Sequence, residues 1–364
     1  MKNKNFIYAL IVVITFLVGA STMYGVIYYH PLILGENITT VNKAVTITDT
    51  GLGESVAKVY DSVVVVSTYR NDRLYSSGTG FIFQADEDKA YILTNNHVIE
   101  NGDKVTVTFT DGDIVETEIV GYNELSDIAV LTVPKDEIIT IANIGSSEDL
   151  LVGDTAFAVG APLDSVYSWT VTRGILSGKD RMVVVNLSSG SGEYVMKVLQ
   201  TDAAINSGNS GGPLCNVNGE VIGIISLKLV DESVEGMGFA IPIEIAIEYA
   251  NKIIDGETIS QPYLGISMLN VSDAYYYMPY RNLLYDITSG VIITDIDNNS
   301  PASKAGLQVN DIIIKINQKE ITSIGYLRYY LYEYKVGDKV EITYIRDGKE
   351  MSTTITLTTD KVMY

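Results

Sequence analysis

Short, β-branched apolar runs separated by turn-forming pairs govern what this chain can fold into. Val63–Ser67, Gly80–Phe83 and Ala90–Thr94 read as strands, and Lys104–Thr110 and Ile114–Val120 flank Asp111-Gly112. Leu214–Val217 and Glu220–Ser226 flank Asn218-Gly219 in the same way. Such two-residue links fit type I′ hairpins, whose central residues need positive φ. Many short strands without long helices between them predict an all-β sandwich or barrel. A helix over Ile243–Ile254 closes this region, and Asp255-Gly256 stops it.

Gln261-Pro262 marks a second boundary. Beyond it Tyr263–Leu269, Gly290–Ile296, Asp311–Ile316, Val340–Arg346 and Glu350–Leu357 read as strands, the last two joined across Asp347-Gly348. One helix is expected over Ser323–Tyr334, where Leu327, Tyr330, Leu331 and Tyr334 recur at helical spacing. This pattern predicts a small α+β domain after the β-rich one. Tyr275-Tyr276-Tyr277 and Tyr329-Tyr330 are either recognition surface or packing, since Tyr offers a large apolar area with a polar tip.

At the other end, no Lys, Arg, Asp or Glu lies between Lys4 and Glu36, and Phe6–Tyr29 is mostly apolar. That length suits a helix crossing about 30 Å of hydrocarbon. Lys2 and Lys4 before it leave the N-terminus cytoplasmic and the rest exported. A cleaved signal peptide with Val18-Gly19-Ala20 as its processing site is the competing reading. The anchor is preferred because the apolar run continues through Val26, Ile27 and Tyr28. Residues 1–35 are thus read as anchor, 36–57 as a polar linker, 58–258 as the β-rich domain and 262–359 as the second domain.

Charge and rare residues narrow the chemistry. With 25 Lys plus Arg against 45 Asp plus Glu, the net charge is −20, which repels a phosphate backbone and argues against a nucleic-acid partner. A single cysteine, Cys215, rules out an intrachain disulfide. With only two histidines, His30 and His97, no Cys/His zinc site is available, and no metal or other cofactor is expected.

Gly208-Asn209-Ser210-Gly211-Gly212-Pro213 is the most informative segment. A serine nucleophile needs a tight, exposed turn with backbone amides aimed at a developing oxyanion. Gly208-Asn209-Ser210 is the candidate oxyanion hole, the N–H groups of Gly208 and Ser210 being the expected donors, at about 3–4 kcal/mol each. A serine also needs a base. His30 falls at the membrane edge, so His97, at the end of the strand Tyr91-Ile92-Leu93, is the imidazole left to the body. Asp127 leads directly into the apolar run Ile128–Leu131, where a carboxylate must find a partner or meet a desolvation cost, and it is the candidate that orients the imidazole. The order His, Asp, Ser is that of the chymotrypsin arrangement. Cys215 alternates with Leu214 and reads as a packed strand thiol rather than a nucleophile.

TNNHV, SDIAVL and TDAAINSGNSGGP, in this order, resemble the HtrA (DegP/DegS-like) family of trypsin-fold serine proteases. Tyr263-Leu264-Gly265-Ile266 and Ser300-Pro301-Ala302-Ser303-Lys304-Ala305-Gly306-Leu307 resemble the PDZ domain such proteases carry. The resemblance implies a mainly β fold: a trypsin-like double six-stranded β-barrel, then a small α+β PDZ domain, behind a transmembrane helix. It implies Ser210 as nucleophile, His97 as general base and then acid, and Asp127 as the orienting carboxylate. Ile205 and Ile225 would line the S1 pocket, and with no Asp there a small aliphatic P1 residue fits better than a basic one. Tyr263, Leu264, Gly265 and Ile266 would receive a C-terminal carboxylate. The family's homotrimer and its degradation of unfolded exported proteins are likewise implied. A tethered chaperone or a PDZ-gated sensor protease acting on one target are the alternatives.

Overall fold

The computed structural model describes residues 2–29, 50–160, 169–186, 193–227, 236–257, 259–277, 280 and 287–359. His30 and residues 36–49 of the expected linker lie outside them.

Helix α1 (Lys2–Tyr29) belongs to a unit of its own, distinct from the body that begins at Asp49. Its stretch Ile7–Val26 is 20 residues long with a mean hydropathy of 2.1. The hydroxyls of Thr15 and Thr22 turn back onto the carbonyls of Ile11 and Val18, one turn earlier. Both are thereby satisfied inside the helix, which suits an apolar solvent.

The body opens with α2 (Thr50–Val59), which corrects the expected linker: its Leu52 and Val56 pack against the core, and Ser55 Oγ donates to the Val217 carbonyl. Seven strands follow, β1 (Val63–Arg70), β2 (Arg73–Ala85), β3 (Lys89–Thr94), β4 (Lys104–Thr108), β5 (Ile114–Glu116), β6 (Glu118–Asn123) and β7 (Ile128–Pro134), with the one-turn helix α3 (Asn96–Ile99) after β3. They form one antiparallel sheet in the order β5-β4-β1-β2-β3-β7-β6. Its two edge strands, β5 and β6, are separated in the chain only by Thr117, so the sheet curls round and its ends meet at that residue.

A second set, β8 (Thr155–Gly160), β9 (Thr170–Asn186), β10 (Glu193–Thr201), β11 (Pro213–Asn216), β12 (Val221–Ile225) and β13 (Gly238–Pro242), closes into a six-stranded barrel. Helix α4 (Ile243–Ile254) follows over the range its apolar pattern predicts. It presses Ile243, Ala246, Ala250 and Ile253 into a core shared by both sheets, which includes Phe81, Leu93 and Ile128 from the first and Phe157, Ile224 and Ile241 from the second.

Turn chemistry differs from expectation at two of three hairpins. Asp347 (φ 52°) and Gly348 (φ 72°) are both left-handed, as a type I′ link requires. At Asp111-Gly112 and Asn218-Gly219 only the glycine is, at 96° and 79°. The cause at the second is Asn216, whose Oδ1 accepts the N–H groups of Asn218 and Glu220 and stabilises a longer, bulged loop.

The C-terminal domain contains β14 (Pro262–Tyr263), β15 (Ile266–Asn270), α5 (Val271–Ala274), β16 (Val291–Ile296), α6 (Pro301–Lys304), β17 (Ile312–Ile316), β18 (Lys319–Glu320), α7 (Ile324–Leu331), β19 (Lys339–Arg346), β20 (Lys349–Thr356) and β21 (Thr358–Thr359). The strand expected over Tyr263–Leu269 is therefore two, broken where Gly265 takes φ 77°. Strand β15 lies at the edge of the order β15-β16-β17-β19-β20, and its Ile266 and Met268 share a core with Leu327 and Leu331 of α7. Helix α7 also touches the barrel: Arg328 Nη1 donates to the Glu193 carbonyl at 2.9 Å, and Tyr332 packs on Tyr194 at 5.9 Å between ring centroids. Tyr329 and Tyr330 meet edge-on, whereas Tyr276 is 89% exposed.

Candidate active site

The two sheets meet where the sequence-predicted triad lies. His97 sits in α3, just beyond the end of β3, and Asp127 directly precedes β7, the antiparallel partner of β3. Pairing these strands brings together side chains 30 residues apart. His97 Nδ1 lies 3.0 Å from Asp127 Oδ1 and 2.9 Å from Oδ2, and the backbone N–H of His97 donates to Oδ1 at 3.1 Å. Asp127 is 1% exposed and adopts φ 54°, a conformation that Asp tolerates better than most residues. Its carbonyl accepts both Asn95 Nδ2 (2.9 Å) and Asn96 N–H (3.1 Å), which hold the residue in that conformation.

The buried carboxylate has a further partner that local sequence does not reveal. Ser226, from the end of β12 in the second barrel, donates its hydroxyl to Asp127 Oδ2 at 2.8 Å. Ser226 is fully buried. A hydroxyl at the end of an apolar run, with its partner 99 residues away, leaves no local signal.

Ser210 lies on the turn before β11. The N–H of Asn209 donates to the Asn206 carbonyl at 3.0 Å, closing a turn in which Gly208 has φ 98°. Asn209 N–H, the middle amide of the candidate Gly208-Asn209-Ser210 segment, is therefore engaged within the turn. Within the described residues, the N–H groups of Gly208 and Ser210 make no internal hydrogen bond. Glycine is also required at 211, where φ is 84° and an added Cβ would stand 2.1 Å from the Thr79 carbonyl oxygen. Ser210 Oγ accepts the N–H of Leu227 at 3.1 Å, and among the described residues no hydrogen bond joins it to His97.

Ile205 and Ile225 belong to one apolar cluster with Leu176, Leu199 and Leu214. Ile205 lies against Gly238, where an added Cβ would meet its Cγ1 at 2.6 Å. Cys215 is fully buried in β11, and desolvation pushes its thiol far above the ordinary value. A thiol held protonated is a poor nucleophile.

In the C-terminal domain the carbonyl of Leu264 accepts Ala302 N–H and that of Gly265 accepts Asp297 N–H, each at 3.0 Å. The peptides are trans, so the N–H groups of Gly265 and Ile266 point the opposite way. Tyr263 hydrogen-bonds Asp297 through its hydroxyl. An edge strand beside an amphipathic helix, with a glycine turn at its head, is the geometry for receiving an extended peptide end.

Comparison with known proteins agrees with this architecture. Residues 78–224 match the trypsin-like peptidase domain and residues 262–357 the PDZ domain. "Serine protease Do-like HtrA" of Bacillus subtilis is 44% identical over 77% of this chain, and the match spans 63% of that relative, just under two thirds of its length. "Serine endoprotease DegS" of Haemophilus influenzae is 36% identical over 81% of this chain and 82% of its own. A solved serine endoprotease from Yersinia pestis shares 30% identity with a TM-score of 0.63, covering 85% of this chain and 98% of that one.

Proposed function

Since this chain belongs to the HtrA family of serine proteases, we propose that it is an ATP-independent serine endopeptidase that cleaves unfolded exported proteins. The observation that carries this is the contact of His97 Nδ1 with the buried Asp127 carboxylate, at the seam where the Ser210 turn presents two amides with no internal partner among the described residues. In the acylation step the Ser210 hydroxyl leaves the Leu227 N–H and turns to His97 Nε2. Its oxygen attacks the scissile carbonyl carbon while its proton passes to the imidazole. Asp127 stabilises the imidazolium, and the amides of Gly208 and Ser210 receive the oxyanion. His97 then gives the proton to the leaving amine, and water hydrolyses the acyl-enzyme by the reverse sequence.

The apolar surroundings of Ile205 and Ile225 favour a small aliphatic P1 residue. Tyr263, Leu264, Gly265 and Ile266 receive a C-terminal carboxylate, and the peptide adds as a strand to β15. The apolar length of α1 supports a single-pass anchor. Lys2 and Lys4 before it favour the protease and PDZ domains lying outside the cytoplasm, and a homotrimer is the assembly that the family resemblance implies. The test is digestion of unfolded casein. Ser210→Ala abolishes cleavage while leaving the circular dichroism spectrum unchanged; retained cleavage overturns the assignment.

A further inference from the structure

Thr79 of β2 makes three hydrogen bonds that the triad itself does not require. Its N–H donates to the Ser210 carbonyl at 2.8 Å, and its Oγ1 donates to the Gly208 carbonyl at 2.7 Å. Its own carbonyl accepts Thr94 Oγ1 at 2.7 Å. The residue is fully buried. One side chain of the first sheet thus holds the nucleophile turn of the second barrel, and is itself fastened to the strand that leads to His97.

The Gly208–Asn209 peptide is therefore gripped from both sides. Thr79 Oγ1 takes its carbonyl, and the Asn206 carbonyl takes its N–H at 3.0 Å. Carbonyl and N–H point in opposite directions across a planar trans peptide, so two such bonds fix the plane. The two amides that find no internal partner among the described residues, those of Gly208 and Ser210, belong to the peptides immediately before and after it. Rotation of the gripped peptide would swing both, and Gly208 at φ 98° offers little steric resistance to rotation.

We propose that Thr79 is a positioning residue for the oxyanion hole: its hydroxyl holds the Gly208–Asn209 peptide so that the Gly208 and Ser210 amides converge on one point. The proposal rests on the reading of Ser210 as nucleophile. It assigns the hydroxyl a role in the transition state, since the oxyanion exists only there, and none in holding the substrate ground state. A hydroxyl retained only for stability would affect unfolding and leave the kinetic constants alone.

The experiment compares wild type, Thr79→Val and Thr79→Ser in peptide hydrolysis, with inhibition by a peptide boronate whose tetrahedral adduct places an oxygen in the oxyanion hole. Val matches Thr in shape but lacks the donor, and Ser keeps it. The Val variant is expected to lose about tenfold or more in kcat with KM within about twofold of wild type. Its boronate affinity falls in parallel, and the Ser variant recovers most of both. Should the Val variant fail to fold, Thr79→Ala provides the hydroxyl-free comparison with the same readouts. A folded, hydroxyl-free variant with wild-type kcat and boronate affinity overturns the proposal, as does a Ser variant no better than Val. Absence of turnover by wild type overturns the underlying enzyme assignment instead, so the two failures are distinct.

Discussion

The Ser226 hydroxyl, from the second barrel, donates to Asp127 Oδ2 at 2.8 Å, on the carboxylate that the first sheet aims at His97. The hydrogen-bond set of the proposed triad's carboxylate is thus completed across the seam between the sheets rather than inside either. Replacing Ser226 by Ala removes a hydrogen bond to a charged, buried group, worth about 1.5–3 kcal/mol. Expressed as catalysis, Ser226→Ala is expected to lower kcat/KM about tenfold or more, and steady-state hydrolysis of a peptide substrate measures it.

Much of this arrangement is legible in the sequence, and the remainder is illegible for identifiable reasons. His97, Asp127 and Ser210 stand out because each is a reactive residue at the edge of an apolar or glycine-rich run. Helix α4 is equally plain, since Ile243, Ala246, Ala250 and Ile253 fall on one face. Ser226 and Thr79 carry no such mark: a lone hydroxyl acquires its meaning from a partner 99 or 129 residues away. Strands β9 and β10 escape for a different reason. Gly174 and Gly178 interrupt β9, and register shifts between Val198 and Thr201 break the alternation of β10.

Cys215 provides a test of the second barrel's packing. Burial raises its thiol well above the ordinary range, so little thiolate is present at pH 8, and the sulfur has no exposed surface in the folded chain. Native protein is expected to be alkylated by iodoacetamide on the order of a hundredfold more slowly than protein unfolded in guanidinium. Rapid modification of the native protein, read by mass spectrometry, would contradict a closed barrel around β11.

Glu244, at the start of α4, links pH to stability. Burial acts to raise its pKa. Hydrogen bonds from Ser147 Oγ, the Ser147 N–H and Ser146 Oγ outweigh that and hold the carboxyl below its ordinary 4.5. A carboxylate with a depressed folded-state pKa stabilises the fold above the unfolded value, and the contribution disappears as pH falls through the folded value. Glu244→Gln is therefore expected to melt below wild type at pH 7. The gap narrows as pH drops past 4.5 and closes below the depressed value. Thermal melts across pH 3 to 7 check this.

Gly265 allows the proposed peptide groove to be tested apart from the proposed protease chemistry. At φ 77° an added Cβ would stand 2.2 Å from Ser300 Cβ, so any side chain displaces the turn that directs the Gly265 and Ile266 amides. Gly265→Ala is expected to weaken binding of a fluorescent C-terminal peptide about tenfold or more, read by polarisation. Labelling of Ser210 by an active-site reagent is expected to be unchanged.

The proposed protease activity requires Ser210 to be a nucleophile activated by His97 and Asp127. Its most direct measurement is covalent labelling of the full chain by a fluorophosphonate, with the modified residue mapped by peptide mass spectrometry. A single adduct on Ser210, lost in His97→Ala, is the expected result. A folded protein that takes up no label, or takes it up elsewhere with Ser210 untouched, contradicts the account.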